Sequence, residues 1–418
     1  MLSIKFIREN IELVKENMQK KGRDIALLDR VLELDKTHKT LIYSQEQLRK
    51  ERNELSKQIN LAKKEGKDTS DILKQVKELP EKVKQLTQET DDIKEQLDQL
   101  LQKIPNMMAQ TVPIGKNDSD NVVLQTFGTP KKTDVQAHQH ILEKLHMADF
   151  ESAARVSGNG FYYLQGDIAL LNQALIQFAI QTMTKHGFTY VETPLMLRSD
   201  IINNVTDLHD QENQIYKIQD EDLYLIGTSE HSLIGRYVKQ TIQEQELPIT
   251  HTSYSMCFRK EKGAHGLDER GLFRTHQFNK VEMIVICKPE DSREWYKKLQ
   301  QITIDIFNQL ELPIRVLQIC SGDLSDNKFD QVDIEAYSQR KDDYIEVGSC
   351  SNLTDAQSQM LGIRVQGKEK YYPHTLNNTA IATSRALVAI IENHTQKDGS
   401  IYIPKALQPF MGKEYIGK

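Results

Sequence analysis

The residues best suited to chemistry lie between Phe258 and Phe278, in the run FRKEKGAHGLDERGLFRTHQF. Apolar ends, Tyr254 to Phe258 and Leu272 to Phe278, flank a charged middle broken by Gly263, Gly266 and Gly271, a pattern that predicts strand, long loop, strand. Arg259, Arg270 and Arg274 offer planar forks that match phosphate or carboxylate oxygens. Glu282 follows in the apolar run from Val281 to Cys287, so the second strand carries a carboxylate onward. Guanidiniums and a glutamate at the mouths of paired strands are parts suited to holding a nucleoside triphosphate. A solvated charged hairpin is the plainer reading of the same letters.

Other routes to nucleotide chemistry are missing from the sequence. It contains no G-x-x-x-x-G-K-[ST] loop and no strand–G-x-G-x-x-G–helix unit. There is also no G-x-S-x-G elbow and no His–Glu pair at metal spacing. Cys257, Cys287, Cys320 and Cys350 are scattered, which fits reduced buried thiols rather than a disulfide framework or a zinc site. The formal net charge of −6 gives no global sign of nucleic-acid binding, so any such contact must use local patches. Lys5 and Arg8 are followed by no apolar signal region, and no run nears the ~18 apolar residues of a membrane span. The expectation is a cytoplasmic protein.

With 418 residues, the chain has room for two or three domains. Ile4, Ile7, Ile11 and Val14 predict a short amphipathic opening ended by Gly22. A heptad follows at Leu27, Leu34, Leu41, Leu48, Leu55 and Ala62, with mixed companions Val31, His38, Gln45, Arg52 and Ile59. After Gly66, with N-cap candidates Asp68, Thr69 and Ser70, a cleaner 4-3 repeat runs from Ile72 through Val76, Leu79, Val83, Leu86, Thr90, Ile93, Leu97 and Leu100 to Ile104. Two such helices joined by a tight turn must run antiparallel, forming an arm on the order of 50 Å long. Pro80 is expected to kink the returning helix. Lys57, Lys63, Lys64 and Lys67 lie near the tip, where they suit phosphate contact or are simply a solvated face.

Residues 105–135 have the composition of a linker, and the catalytic part is expected over 136–418. There, a helix over Ile168 to Lys185 leads to a strand over Phe188 to Pro194. Further strands are predicted at Leu223–Ile226, Ser253–Arg259, Phe273–Val285, Asp343–Val347 and Leu376–Asn378, with helices at Ser292–Leu310 and Ala380–Asn393. Few strand–helix–strand crossovers fit this order. The predicted class is α+β, a mainly antiparallel sheet flanked by helices behind an N-terminal two-helix arm.

The Phe258–Phe278 stretch resembles motif 2 of class II aminoacyl-tRNA synthetases, in the form found in the seryl-tRNA synthetase family. Met1–Asn10, Ile104–Asn106, Gly227–His231, Glu346–Asn352 and Asn377–Arg385 resemble their family counterparts in the same order, so the likeness spans nearly the whole chain. The helix–strand–Pro unit ending at Pro194 resembles motif 1, which implies a homodimer. The resemblance implies ATP-dependent activation of L-serine to seryl-adenylate and transfer to the 3′ end of tRNA(Ser), with tRNA(Sec) a candidate second acceptor. It also implies that the arm grips tRNA. By the same carry-over, Arg259, Glu346 and Arg385 are the catalytic set. Arg259, Lys260, Glu261, Arg274, Thr275, Phe278, Glu346, Val347, Gly348, Ser349 and Arg385 meet ATP, and Glu346 and Ser349 hold Mg²⁺. Thr228, Ser229, Glu230, Arg259, Glu282 and Thr379 hold serine. Ser229, Asn378 and Thr379 depart from the small residues the family often carries there, and His265 is a candidate contact to the tRNA acceptor end. Two rivals stand against this reading: a ligase loading a carrier protein, which would lack the arm, and a non-catalytic paralogue, which would lose Arg259, Glu282, Glu346 or Arg385.

Overall fold

A computed structural model describes residues 2–66, 68–132, 135–206, 213–261 and 271–418, apart from the side chains at 72, 73, 75 and 78. Lys67, His265 and Arg270 lie outside the described residues. The chain forms two compact units, Met1–Pro105 and Asn106–Lys418.

In the first unit the heptads become α1 (Ala26–Lys64) and α2 (Ser70–Leu101). They are antiparallel, because Gln45 and Thr90, equally far from the turn, meet across the seam. Gln45 Nε2 donates to Thr90 Oγ1 at 2.8 Å and to the Leu86 carbonyl at 3.1 Å. A buried polar pair in an apolar seam is satisfied in one register only, so it fixes the alignment of the two helices. Pro80 lies inside α2, which continues through it from Ser70 to Leu101. It is exposed, while its neighbour Leu79 is buried, so packing on the seam side carries the helix past the missing N–H.

In the second unit the central sheet comprises β1 (Val122–Phe127), β2 (Thr189–Tyr190), β3 (Ile249–Phe258), β4 (Gln277–Cys287), β5 (Ile314–Gln318), β6 (Asp330–Ser338), β7 (Asp343–Thr354) and β8 (His374–Ala382). Among the described residues their spatial order is β1-β5-β6-β7-β8-β4-β3-β2. Every neighbouring pair is antiparallel except β2–β3. The α+β class with a mainly antiparallel sheet is therefore correct. The linker expectation for 105–135 is not. Asn106 donates to the Leu353 carbonyl and Thr354 Oγ1 at 2.9 and 3.1 Å, and β1 adds an edge strand to β5. Pro and Gly in this segment shape turns within the unit rather than a tether. The tract Leu223–Ile226 also falls outside the main sheet, with Tyr224–Leu225 pairing Met196–Leu197.

Alternation along β4 sorts its side chains between the two faces. Val281, Met283, Val285 and Cys287 join the larger core, while Ile284 and Ile286 join a smaller one on the opposite face. Helices α3 (Asp167–Lys185), α4 (Ser292–Gln309) and α5 (Thr383–His394) contribute their apolar stripes to the larger core. With that face covered, the other is left to form a cleft.

Candidate active site

The cleft has a volume of about 470 Å³, and its floor is the uncovered face of the sheet. Phe278, Lys280 and Glu282 recur at every second residue of β4 and so share that face. Thr379 stands opposite Glu282 in the β8–β4 ladder, and Asp333 stands opposite Ser349 in β6–β7. Glu346 and Ser349 are three apart in sequence, which in a regular strand would put them on opposite faces. A bulge brings them together: Gly348 pairs Ile334 and Glu346 pairs Glu335, leaving Val347 without a counterpart. The extra residue restores the phase, so Glu346 and Ser349 both lie on the face of Asp333.

One end of the cleft is dense with buried charge. Lys280 Nζ donates to Thr228 Oγ1 at 3.1 Å and forms an ion pair with Glu282, which is 1% exposed. Gln357 Nε2 donates to Glu230 Oε1 at 2.8 Å and is itself held by Thr375. Desolvation, then the Glu282 charge, raises the Glu230 carboxyl to about 7. Glu282 is also raised by burial, against the opposing pull of Lys280. Burial, then Arg259 and Lys280, lowers His231 to about 3, so its imidazole stays neutral at the cleft wall. Arg259 Nε donates to the Gly227 carbonyl at 3.3 Å, and its guanidinium lies 5.4 Å from the centroid of Phe278.

Toward the other end, Arg274 pairs with Glu261 at 3.5 Å, and Arg385, in the first turn of α5, lies 5.3 Å from the Phe273 ring. Arg385 Nη1 donates to both Glu346 Oε2 and the Glu346 carbonyl at 3.0 Å. Desolvation raises the Glu346 carboxyl, but Arg385, Arg259 and Lys328 together outweigh it and leave it below the usual range. Asp333 shifts upward through burial and the nearby Glu346 charge. Gln331 Nε2 bridges Asp333 Oδ1 and Ser349 Oγ at 2.8 and 2.9 Å. Glu346 and Ser349 thus present hard oxygen donors on one face, few enough to leave most of a divalent cation's shell to phosphate and water. That donor set fits Mg²⁺.

Most of the residues expected from sequence line this one cleft: Thr228, Glu230, Arg259, Glu261, Arg274, Thr275, Phe278, Glu346, Val347, Gly348, Ser349, Thr379 and Arg385. Three do not. Ser229 is buried and donates to the Ser253 carbonyl at 3.4 Å, turned toward β3 because Thr228 takes the cap position of the helix Ser229–Gly235. Lys260 is fixed through its backbone, whose N–H donates to the Gln214 carbonyl at 2.8 Å. Glu282 lies behind Lys280, which lines the cleft in its place. Lys280, Gln331 and Asp333 were not anticipated. Lys280 was legible, since it falls midway between Phe278 and Glu282 on a strand already assigned.

A helix-flanked antiparallel sheet with a cleft of arginines and carboxylates on its open face defines the class II aminoacyl-tRNA synthetases. Residues 215–394 match the tRNA synthetase class II core domain (G, H, P, S and T), and residues 1–108 match the seryl-tRNA synthetase N-terminal domain. The chain belongs to the seryl-tRNA synthetase family. It is 42% identical over 425 residues to the serine–tRNA ligase of Methanocella arvoryzae, covering 100% of both chains. It is also 42% identical over 443 residues to that of Pyrococcus furiosus, covering 100% of this chain and 97% of the relative. Among solved structures, it is similar to seryl-tRNA synthetase from Pyrococcus horikoshii complexed with ATP. That match has a TM-score of 0.93 and 39% identity, and covers 100% and 99% of the two chains. Cytoplasmic serine–tRNA ligase from Naegleria fowleri in complex with AMP gives 0.90 and 29%, covering 100% and 98%.

The Glu230 carboxyl gives a test by pH. Raised to about 7, it is mostly neutral at pH 6 and mostly ionised at pH 8, so if Glu230 is the counter-charge of a substrate ammonium, that charge is present only on the alkaline side. KM for the amino acid should fall as pH rises through 7, by about tenfold per unit on the acid limb. Steady-state pyrophosphate exchange between pH 6 and 8.5 reads this directly, and Glu230→Gln should flatten the profile. The sign for folding is opposite. A carboxyl raised above its unfolded value of 4.5 favours the native state most at low pH, a contribution lost as pH rises toward 7.

Proposed function

We propose that this chain activates L-serine with ATP to seryl-adenylate and then transfers serine to the 3′ end of tRNA(Ser). The observation that carries the reading is a single sheet face with a Lys280–Glu282 and Glu230 pocket at one end, Arg385–Glu346 at the other, and Arg259 in the same cleft. Arg259 commits Nε to Gly227, which leaves its terminal nitrogens for the substrate carboxylate and the α-phosphate. The carboxylate is already ionised, so it attacks phosphorus without a protein base; one P–O bond forms as the bond to pyrophosphate breaks. Phe278 offers a stacking face for adenine and Glu261 an acceptor for its amino group. Glu346 and Ser349 would hold Mg²⁺, whose charge neutralises the phosphates. Thr228, Glu230 and Thr379 form the wall of the serine pocket beside Lys280, and Glu282 supports that wall from behind as the counter-charge of Lys280. A pocket built around a hydroxyl rejects alanine by leaving its own polar groups unpaired.

The arm's exposed Lys57, Lys63 and Lys64 support a grip on tRNA, with tRNA(Sec) as a second acceptor to be assayed beside tRNA(Ser). Exposed Val156, Tyr163, Leu170 and Met196 support burial against a second copy in a homodimer. Among the described residues no helix is long and apolar enough to cross a membrane, which is compatible with a cytoplasmic enzyme.

Serine-dependent exchange of labelled pyrophosphate into ATP tests the proposal, with alanine, threonine and glycine as controls. Exchange with serine should exceed that with alanine by about 10³-fold or more. No exchange with any of the four would end the enzymatic reading.

A further inference from the structure

Behind the cleft, a buried imidazole joins the two segments that carry its nucleotide-end groups. His138 is 1% exposed at the start of the helix His138–Lys144. The Leu272 amide donates to its Nε2 at 3.0 Å. A backbone N–H can only donate, so Nε2 holds a lone pair and the ring proton resides on Nδ1. Nδ1 faces Glu392 Oε1 at 3.4 Å. The other Glu392 oxygen accepts from Ser338 Oγ at 2.5 Å, and Arg340 stands 3.7 Å from Oε1.

The two anchors of His138 sit next to cleft residues. Leu272 directly precedes Phe273 and Arg274, while Glu392 lies about two turns along α5 from Arg385. At the cleft, Phe273 meets Arg385; at the back, Leu272 reaches Glu392 through His138. The fit at the back is tight. A Cβ on Gly271, whose φ is +96°, would fall 2.3 Å from His138 Nε2.

We propose that His138 is a positioning residue. It sets the spacing between the Leu272–Arg274 segment and α5, and so aligns Arg274 and Arg385 on the polyphosphate of the nucleotide. The inference rests on reading the cleft as the ATP site. A core histidine that merely fills space would affect stability alone; a spacer acts on ATP and leaves serine, bound at the other end, untouched.

Two replacements separate the ring's two bonds. His138→Asn keeps a donor for Glu392 but has no atom where Nε2 stood, whereas His138→Gln reaches the Leu272 amide with its carbonyl oxygen. In pyrophosphate exchange by the full-length protein, His138→Asn should raise KM for ATP about tenfold or more, with KM for serine changed less than about twofold. His138→Gln should return KM for ATP to within about threefold of wild type. Gly271→Ala keeps the imidazole but forces it or the Leu272 backbone to shift, and should show the same ATP-selective defect, so the test survives if His138→Asn does not fold. Equal ATP constants for the Asn and Gln variants, or parallel losses for ATP and serine, would overturn the proposal. A wild type without exchange would instead sink the functional reading, and calorimetric binding of a non-hydrolysable ATP analogue to the same variants would then decide the role of His138.

Discussion

Arg259→Lys should lower the rate of serine-dependent pyrophosphate exchange by about 10²- to 10³-fold while leaving the protein folded. The reasoning begins with what each nitrogen of Arg259 can do. Nε donates to the Gly227 carbonyl at 3.3 Å, and the guanidinium is 5.4 Å from the Phe278 ring centroid, so the plane of the fork is set by two neighbours. Lysine keeps the positive charge but has one rotatable ammonium, which cannot hold a carboxylate and a phosphate in a shared plane. The loss therefore falls on alignment of nucleophile and phosphorus, a kcat effect, more than on ATP affinity. Single-turnover formation of adenylate, with ATP binding measured separately, distinguishes the two. A lysine variant within tenfold of wild type would mean that charge alone suffices there, and the in-line role of the fork would be wrong.

How much of this site could be read in advance depends on the kind of information each residue needed. The heptads of α1 and α2 and the apolar ends around 258–278 are local patterns, and they marked the arm and the paired strands β3 and β4. Gathering the arginines into one cleft came from the family likeness, because no local pattern says which loops face each other. No strand is assigned at β6 from the sequence alone: Gln331 and Asp333, which line the cleft, and Glu335, paired with Arg315, make it look like a hydrophilic segment unless the alternating Val332, Ile334 and Ala336 are given to a core. The bulge at Val347 was beyond reach, since phase slips depend on the partner strand. The direction of Ser229, toward the Ser253 carbonyl and away from the cleft lining, was unreadable for a similar reason. Which of Thr228, Ser229 and Glu230 faces the cleft is decided by where the helix begins, and a shift of one residue turns a substrate contact into a backbone bond.

Deleting Glu46–Glu89, with a short Gly-Ser turn in its place, should leave exchange within about twofold of wild type yet cut aminoacylation of tRNA by about 10²-fold or more. The cut falls just beyond the Gln45–Thr90 hydrogen bond, so the polar pair that fixes register stays in the shortened hairpin. Every side chain assigned to the cleft belongs to the unit Asn106–Lys418, and the deleted stretch lies wholly within Met1–Pro105, so adenylate chemistry has no atom to lose. What disappears is the basic tip, including exposed Lys57, Lys63 and Lys64, on a chain whose net charge of −6 offers no general attraction for RNA. Binding energy from that remote contact would be spent holding the acceptor end at the adenylate, which is why its loss should appear in transfer and not in activation. A lysine-to-glutamate triple variant at the same positions should reproduce part of the defect and flatten the salt dependence of KM for tRNA, because fewer counterions are then released on binding. Full charging by the shortened protein would show that the arm serves assembly or stability instead, and the acceptor would then have to be recognised by the Asn106–Lys418 unit alone.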